Sequence, residues 1–545
     1  MAVRPSARSR RCEVFKHRGF RMGIATLAVG ALLAGCGSDG GGLGRAEPQF
    51  GYQLPTTPVT TNAGSAVGVA TDAAKLSARL YPGAFLAGPE GQMLPNRDLV
   101  EVTPSKKHQE VVDYKINPAA KYSDGHKVVC DDFQLTKLAS ERADLFASDL
   151  PIYHQVAELY CAPGADRFRV VFKPGFGQRY RELFSAGTVL PAHAVTKRAE
   201  VESVTATVES GVEEDLLRLG KAWQELFDIT KTDPATVPTF GPYRIAEKGE
   251  RGQLVLRENS EWAGDRPAQL PIYVWGPGAD LPKLAEDNQI SVLDAPVKTD
   301  FAAAGIASEK FSISRQPSDR LDTLSLADTG IFADEGSRHA FSSCIDRKAL
   351  VKTTSEFSRN RVTATGLRVL QPSAPTHPRL KALSGAHMTR DIPAAKAALE
   401  GATVRIGYLQ EHERYAKQVE TIKNSCAEAG ITVEAVPLTA TNYGTLGEDY
   451  DALLSTLSGF GRNGLSKADQ ASLLPEILRA EKELQQAMWT IPLTTEPRAI
   501  ATLKNLDNVM DNPGNVGLSW NMDRWVELDH IPETTSATDT STKKS

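Results

Sequence analysis

Hydrophobic and polar residues alternate along Val112–Ile116, where Val112, Tyr114 and Ile116 flank Asp113 and Lys115, which predicts a half-buried strand ending at Asn117-Pro118. A tight turn follows at Ser123-Asp124-Gly125, and Asp131 or Asp132 is placed to cap a helix running from Phe133 to Ala147. Phe168, Val170 and Phe172 line one face of a strand over 167–172. Helical spacing over 69–80 aligns Val69, Ala73, Leu76 and Leu80, and over 213–227 it aligns Leu216, Leu217, Trp223 and Leu226. Short strands are expected at 253–257, 272–275 and 290–295. A helix over 337–351 would bury Ala340, Phe341, Cys344 and Ile345. From 402 to 454 the pattern becomes strand (404–408), helix (415–429, stopped by Gly430), strand (431–435), loop and strand (450–457). That alternation predicts a parallel sheet covered by helices. A helix over 474–489 and a strand at Ile491-Pro492-Leu493 complete the series.

At 545 residues the chain calls for two or three domains. Its net charge of −5 gives no basic balance for nucleic acid, and positive charge gathers only at the start, in Arg8, Arg10, Arg11, Lys16, Arg18 and Arg21. An apolar run from Met22 to Gly35 follows, too short to span a bilayer. It ends in Leu33-Ala34-Gly35-Cys36, the pattern of a bacterial lipobox, so residues 1–36 are expected to be a lipoprotein signal, with lipid on Cys36. A Gly-rich tether (37–48) is expected next, and a polar, disordered tail over 531–545. Four cysteines remain, Cys130, Cys161, Cys344 and Cys426. An even number in an exported chain reads as disulfides, and no C-x-x-C spacing points to zinc.

Motifs for chemistry are missing. There is no G-x-S-x-G, H-E-x-x-H or phosphate-binding loop, and none of the ten histidines pairs with another at i, i+4. No catalytic residue, cofactor or metal site is expected from this pattern.

The stretch YKINPAAKYSDGHKVVCDDF (114–133) resembles the strand-and-turn signature of the family 5 extracellular solute-binding proteins, the dipeptide and oligopeptide receptors of ABC importers. Thr239–Ile245 (TFGPYRI), Ser337–Val351 (SRHAFSSCIDRKALV), Ala429–Glu434 (AGITVE) and Ile491–Leu493 are similar to further family segments in the same order. The resemblance implies an α/β, two-lobed fold of the periplasmic binding-protein kind (type II, large peptide-binder class). The first lobe would span 49–270, with an extra subdomain over about 75–230; the second would span 271–495, entered through the strand at 272–275; and 496–530 would return to the first. It also implies a monomeric, extracytoplasmic receptor held to the cytoplasmic membrane by lipid, with a peptide-like solute and ABC permease subunits as partners. Of the three possible cysteine pairings, Cys130–Cys161 with Cys344–Cys426 keeps each bridge inside one lobe and leaves a hinge free.

One departure bears on the ligand. Peptide receptors carry W-x-x-D-x-x-D-P after the Tyr-Asp-Ala strand, with an acid for the peptide amine, whereas Leu453–Asn463 here reads LLSTLSGFGRN. An ammonium left unpaired in a closed cleft would be costly, which speaks against a free-amine dipeptide and leaves a longer, blocked or anionic ligand near Arg462, or a non-peptide such as a haem-like or glycoconjugate molecule. Asn62, Ser455 and Phe460 are the remaining expected cleft contacts. The alternatives are a non-transport member of the same fold acting in envelope assembly and, behind it, a surface hydrolase.

Overall fold

A computed structural model describes residues 48–528, apart from 386, 459–462 and 470. The lipobox Cys36, the tether as far as residue 47, the whole of the 531–545 tail, Phe460 and Arg462 lie outside the described residues. Ten strands build one mixed sheet: β1 (Gly51–Gln53), β2 (Tyr243–Lys248), β3 (Leu254–Glu258), β4 (Ile272–Trp275), β5 (Val292–Ala295), β6 (Phe311–Leu326), β7 (Thr403–Leu409), β8 (Thr432–Leu438), β9 (Ala452–Leu457) and β10 (Thr490–Leu503). Their order across the sheet is β8-β7-β9-β6-β10-β5-β1-β4-β3-β2. At one end β7 runs parallel to both β8 and β9, as the alternating pattern required. The helix Glu413–Ala427 covers that end and buries Tyr415, Val419, Ile422 and Cys426 in a core with Leu324, Phe341, Val404 and Leu454.

The strands β6 and β10 are long, 16 and 14 residues, and pair antiparallel along most of their length. Phe311 and Ala499, at one end of the pair, belong to a core with Trp275 and Leu293; Leu324 and Ile491, at the other, belong to the core beneath β7. The register breaks between Pro317 and Leu321, and Pro317 faces Pro497. Two opposed prolines cannot exchange backbone hydrogen bonds, so the ladder is interrupted there. This pair therefore carries the chain between the cores. The strand at 272–275, read as the crossing strand, instead lies between β1 and β3 at the far end of the sheet.

Residues 100–225 add a four-stranded antiparallel sheet in the order 100–104, 111–116, 167–172, 156–161. Its face stacks Tyr114 on Phe168 at 4.6 Å, with Phe133 and Phe184 against them, and this core is continuous with that of β1, β3 and β4. The helix expected over 133–147 is two, Cys130–Glu141 and Ala143–Phe146. Asp132 sits in its third position rather than before it: one carboxylate oxygen accepts from Val129 N (2.9 Å), the other from Ala192 N (2.7 Å). The helix expected over 337–351 also divides, into Glu335–Cys344 and Arg347–Ser358, because Ile345 is extended and Asp346 caps the second helix at Ala349 N (2.9 Å). The disulfides Cys130–Cys161 and Cys344–Cys426 both form, with Cα separations of 5.8 and 4.8 Å.

Candidate functional site

A cavity of about 510 Å³ opens among segments far apart in the chain. One wall comes from the turn around Ala63–Asp72 and from the segments 87–93, 149–152 and 181–188; the other from Asp319-Arg320, the end of β9 at Thr456–Ser458, Asp469, Ala471 and the loop Asn512–Asn515. The first wall depends on a close backbone approach. A side chain at Gly68 would collide with the Asn62 carbonyl oxygen, so only glycine lets this turn fold back on itself.

Asn62 builds that wall rather than lining it. Its Oδ1 accepts from Gly64 N (3.0 Å) and its Nδ2 donates to Trp223 O (3.3 Å), and its neighbour Ala63 faces the cavity instead. Ser455 is buried on β9 opposite Thr323, and its hydroxyl has no hydrogen-bond partner among the described residues. The cavity is lined by the next residues, Thr456, Leu457 and Ser458.

Buried charges line the cavity at Asp72 and Arg320. Arg320 donates to Asp72 (2.7 Å) and to Thr456 O (3.1 Å) and lies 3.5 Å from Glu496. Burial works against both charges of the Arg320–Asp72 pair. Asp72 and Glu496 nonetheless raise the Arg320 pKa, and Arg320 and Lys75 hold the Asp72 carboxyl well below the usual carboxylate range. Lys75 also bonds Asp294 (2.9 Å), which lies 3.7 Å from Arg498. A second cluster sits behind β9. Arg414 makes two 2.9 Å bonds to Asp322, whose carboxylate also accepts from Gln418 and Thr456. Sequence reading missed these residues. The available signal was a pair of charges, Arg320 and Asp322, inside a strand-forming run.

The two walls are held together by direct contacts. Outside both walls Thr57 N donates to Glu411 (2.8 Å), and within the second wall Asn515 Nδ2 donates to Ser458 Oγ (3.3 Å). Arg179 donates to Asn463 O (2.6 Å) and Ser466 O (3.2 Å) while its other edge grips Glu182, and Gln155 donates to Ser466 O (2.7 Å). Gly464 passes so close to the Pro151 carbonyl oxygen that no β-carbon fits between them. The acid missing just after β9 arrives later on the same loop, in Asp469, which lines the cavity and helps burial raise the Glu182 pKa.

A mixed α/β sheet with a pair of long strands running between cores, and a cavity lined by segments far apart in the chain, is the build of a solute receptor. The chain belongs to the bacterial extracellular solute-binding proteins, family 5; residues 104–466 match that family's middle region. It is 28% identical to an uncharacterized lipoprotein of Mycobacterium tuberculosis, over 92% of this chain and 96% of the relative. Among solved structures it is similar to the oligopeptide-binding protein AppA of Bacillus subtilis in complex with a nonapeptide, with a TM-score of 0.64 and 15% identity over 89% of this chain and all of the other. It is also similar to the periplasmic EDTA-binding protein EppA, with a TM-score of 0.62 and 18% identity over 90% of this chain and 98% of the other. At these identities the structural likeness speaks for the fold alone. Among the described residues no helix is long and apolar enough to cross a membrane.

Proposed function

We propose that this chain is a lipid-anchored, extracytoplasmic receptor that captures a peptide or peptide-like solute and delivers it to the permease subunits of an ABC importer. The observation that carries this reading is the half-open cavity, whose volume falls in the range of small-ligand sites. Its lining mixes apolar surface (Val69, Met93, Leu150, Ile152, Leu457) with Asp469 and Arg181, groups able to meet the two charged ends of a peptide. Asp469 restores a partner for a free amine, so the ligand need not be blocked. Capture makes and breaks no covalent bond. The solute stabilises the closed form by its differential affinity, and the bodies swing about β6 and β10 where Pro317 faces Pro497. In this reading Cys36 carries the lipid, one lobe spans 49–270 with 496–530, and the other spans 271–495.

The test is native mass spectrometry of the full chain, followed by thermal unfolding with di- to pentapeptides. A bound solute of defined mass, a peptide that raises Tm, and a smaller rise in Asp469→Asn support the reading. A chain that carries no solute, and whose Tm no peptide moves, would instead favour the non-transport role in envelope assembly.

A further inference from the structure

We propose that Asp124, His126 and His193 form a surface site for a divalent first-row transition-metal cation of the zinc class. The two histidines are far apart in sequence, and the fold brings them together. Asp124 and His126 sit on the turn whose shape depends on Gly125, at φ +87°. His193 lies in the first turn of the helix Ala192–Ala199, which is pinned by the bond from Ala192 N to Asp132. One oxygen of Asp124 accepts from the backbone N–H of His126 (3.2 Å), which fixes the carboxylate. The other lies 3.1 Å from His126 Nδ1 and 3.0 Å from His193 Nε2. The imidazoles stack at 4.2 Å and 15°, and the edge of Tyr122 supports His193 from beneath at 5.1 Å.

Two imidazole nitrogens and a carboxylate oxygen are the donors that borderline-soft divalent ions prefer. All three donor atoms lie within 4.8 Å of one another. Zinc–nitrogen bonds of about 2.0–2.1 Å put neighbouring tetrahedral ligands about 3.3 Å apart. The two nitrogen–oxygen separations already lie close to that value. Drawing the nitrogens together needs only a small swing of His126, whose side chain is 62% exposed. A fourth position faces solvent, open to water or to a ligand from outside. None of the three residues lines the interlobe cavity, so this site is separate from the solute site and does not rest on its assignment. An ion held here would tie the 123–126 turn to the 192–199 helix and stiffen the 100–225 subdomain. The competing account is a plain hydrogen-bonded His–Asp–His cluster, which needs no ion.

The two accounts separate on titrating the full chain with zinc chloride by calorimetry, with cobalt(II) absorption as a second readout. The site predicts one saturable ion per chain, visible d–d bands on cobalt loading and a higher Tm with zinc. Loss of an outer-shell partner alone weakens metal sites about 10- to 100-fold, so His126→Gln and His193→Gln should each weaken binding at least about tenfold. The exposure of His126 keeps folding out of that comparison. No saturable binding to the parent, or undiminished binding in His126→Gln, would overturn the site.

Discussion

The clasp between Arg179 and the 463–466 loop offers the sharpest test of closure. Replacing Arg179 with Met keeps its apolar stem and removes the donors to Asn463 O and Ser466 O. Hydrogen bonds from a charged group contribute about 1.5–3 kcal/mol each, and the second here is long, so the pair is assigned about 2–3 kcal/mol. In an open form the guanidinium would be hydrated, so the loss falls on the closed form alone. It lowers the ratio of closed to open molecules about 30- to 150-fold. Apparent solute affinity weakens in proportion once the closed fraction becomes small. Arg179→Met also leaves Glu182, which is buried next to Asp469, without its cation. The comparison therefore uses Arg179→Met/Glu182→Gln against Glu182→Gln. Gly464→Ala acts independently, because the added carbon has no room beside Pro151. Both changes are expected to shift single-molecule energy transfer between dyes at Lys197→Cys and Lys423→Cys towards longer distances. If Arg179→Met/Glu182→Gln and Gly464→Ala both keep the parent distribution, this contact does not govern closure, and the reasoning from it fails.

Three further outcomes follow from buried groups. Asp322→Ala strips Arg414 of its carboxylate partner and should cost about 3–5 kcal/mol in denaturant unfolding, while adding Arg414→Met should recover much of it; equal stability of the two variants would contradict this. Removing Cys344–Cys426, a separation of 82 residues, should cost about 4–5 kcal/mol, and removing Cys130–Cys161, a separation of 31, about 3–4 kcal/mol, read as a larger fall in Tm for the first pair. Burial pushes the Asp132 carboxyl up to about 7, against the hydrogen bonds from Val129 and Ala192. Between about pH 4 and pH 7 the native state then holds a proton that the unfolded chain has lost, so stability should fall as pH rises through that window. Asp132→Asn should flatten the slope in urea midpoints taken at pH 4.5, 5.5 and 7.5. Asp72 and Asp294, held low by their cations, act with the opposite sign and only below about pH 4.

Residues whose environment is set by near neighbours in sequence could be read before any fold was known. The alternation of Val112, Tyr114 and Ile116, the period of Val419, Ile422 and Cys426, and the turn at Gly125 each follow from local sterics and one buried face. The parallel end of the sheet followed from the spacing of strands and helix, whereas the choice among three cysteine pairings needed the lobes that the family resemblance implies. What brings distant residues together was decided only by the tertiary structure. Asn62 was expected at the cleft, but its polar atoms are spent on Gly64 and Trp223, a partner 161 positions away. Arg320 is held by Asp72, and Asp469 reaches a cavity whose other wall begins at Ala63. Long-range pairing of charges in a dry interior depends on distances of a few ångströms between strands, and a linear pattern of hydrophobic and polar positions does not carry those distances.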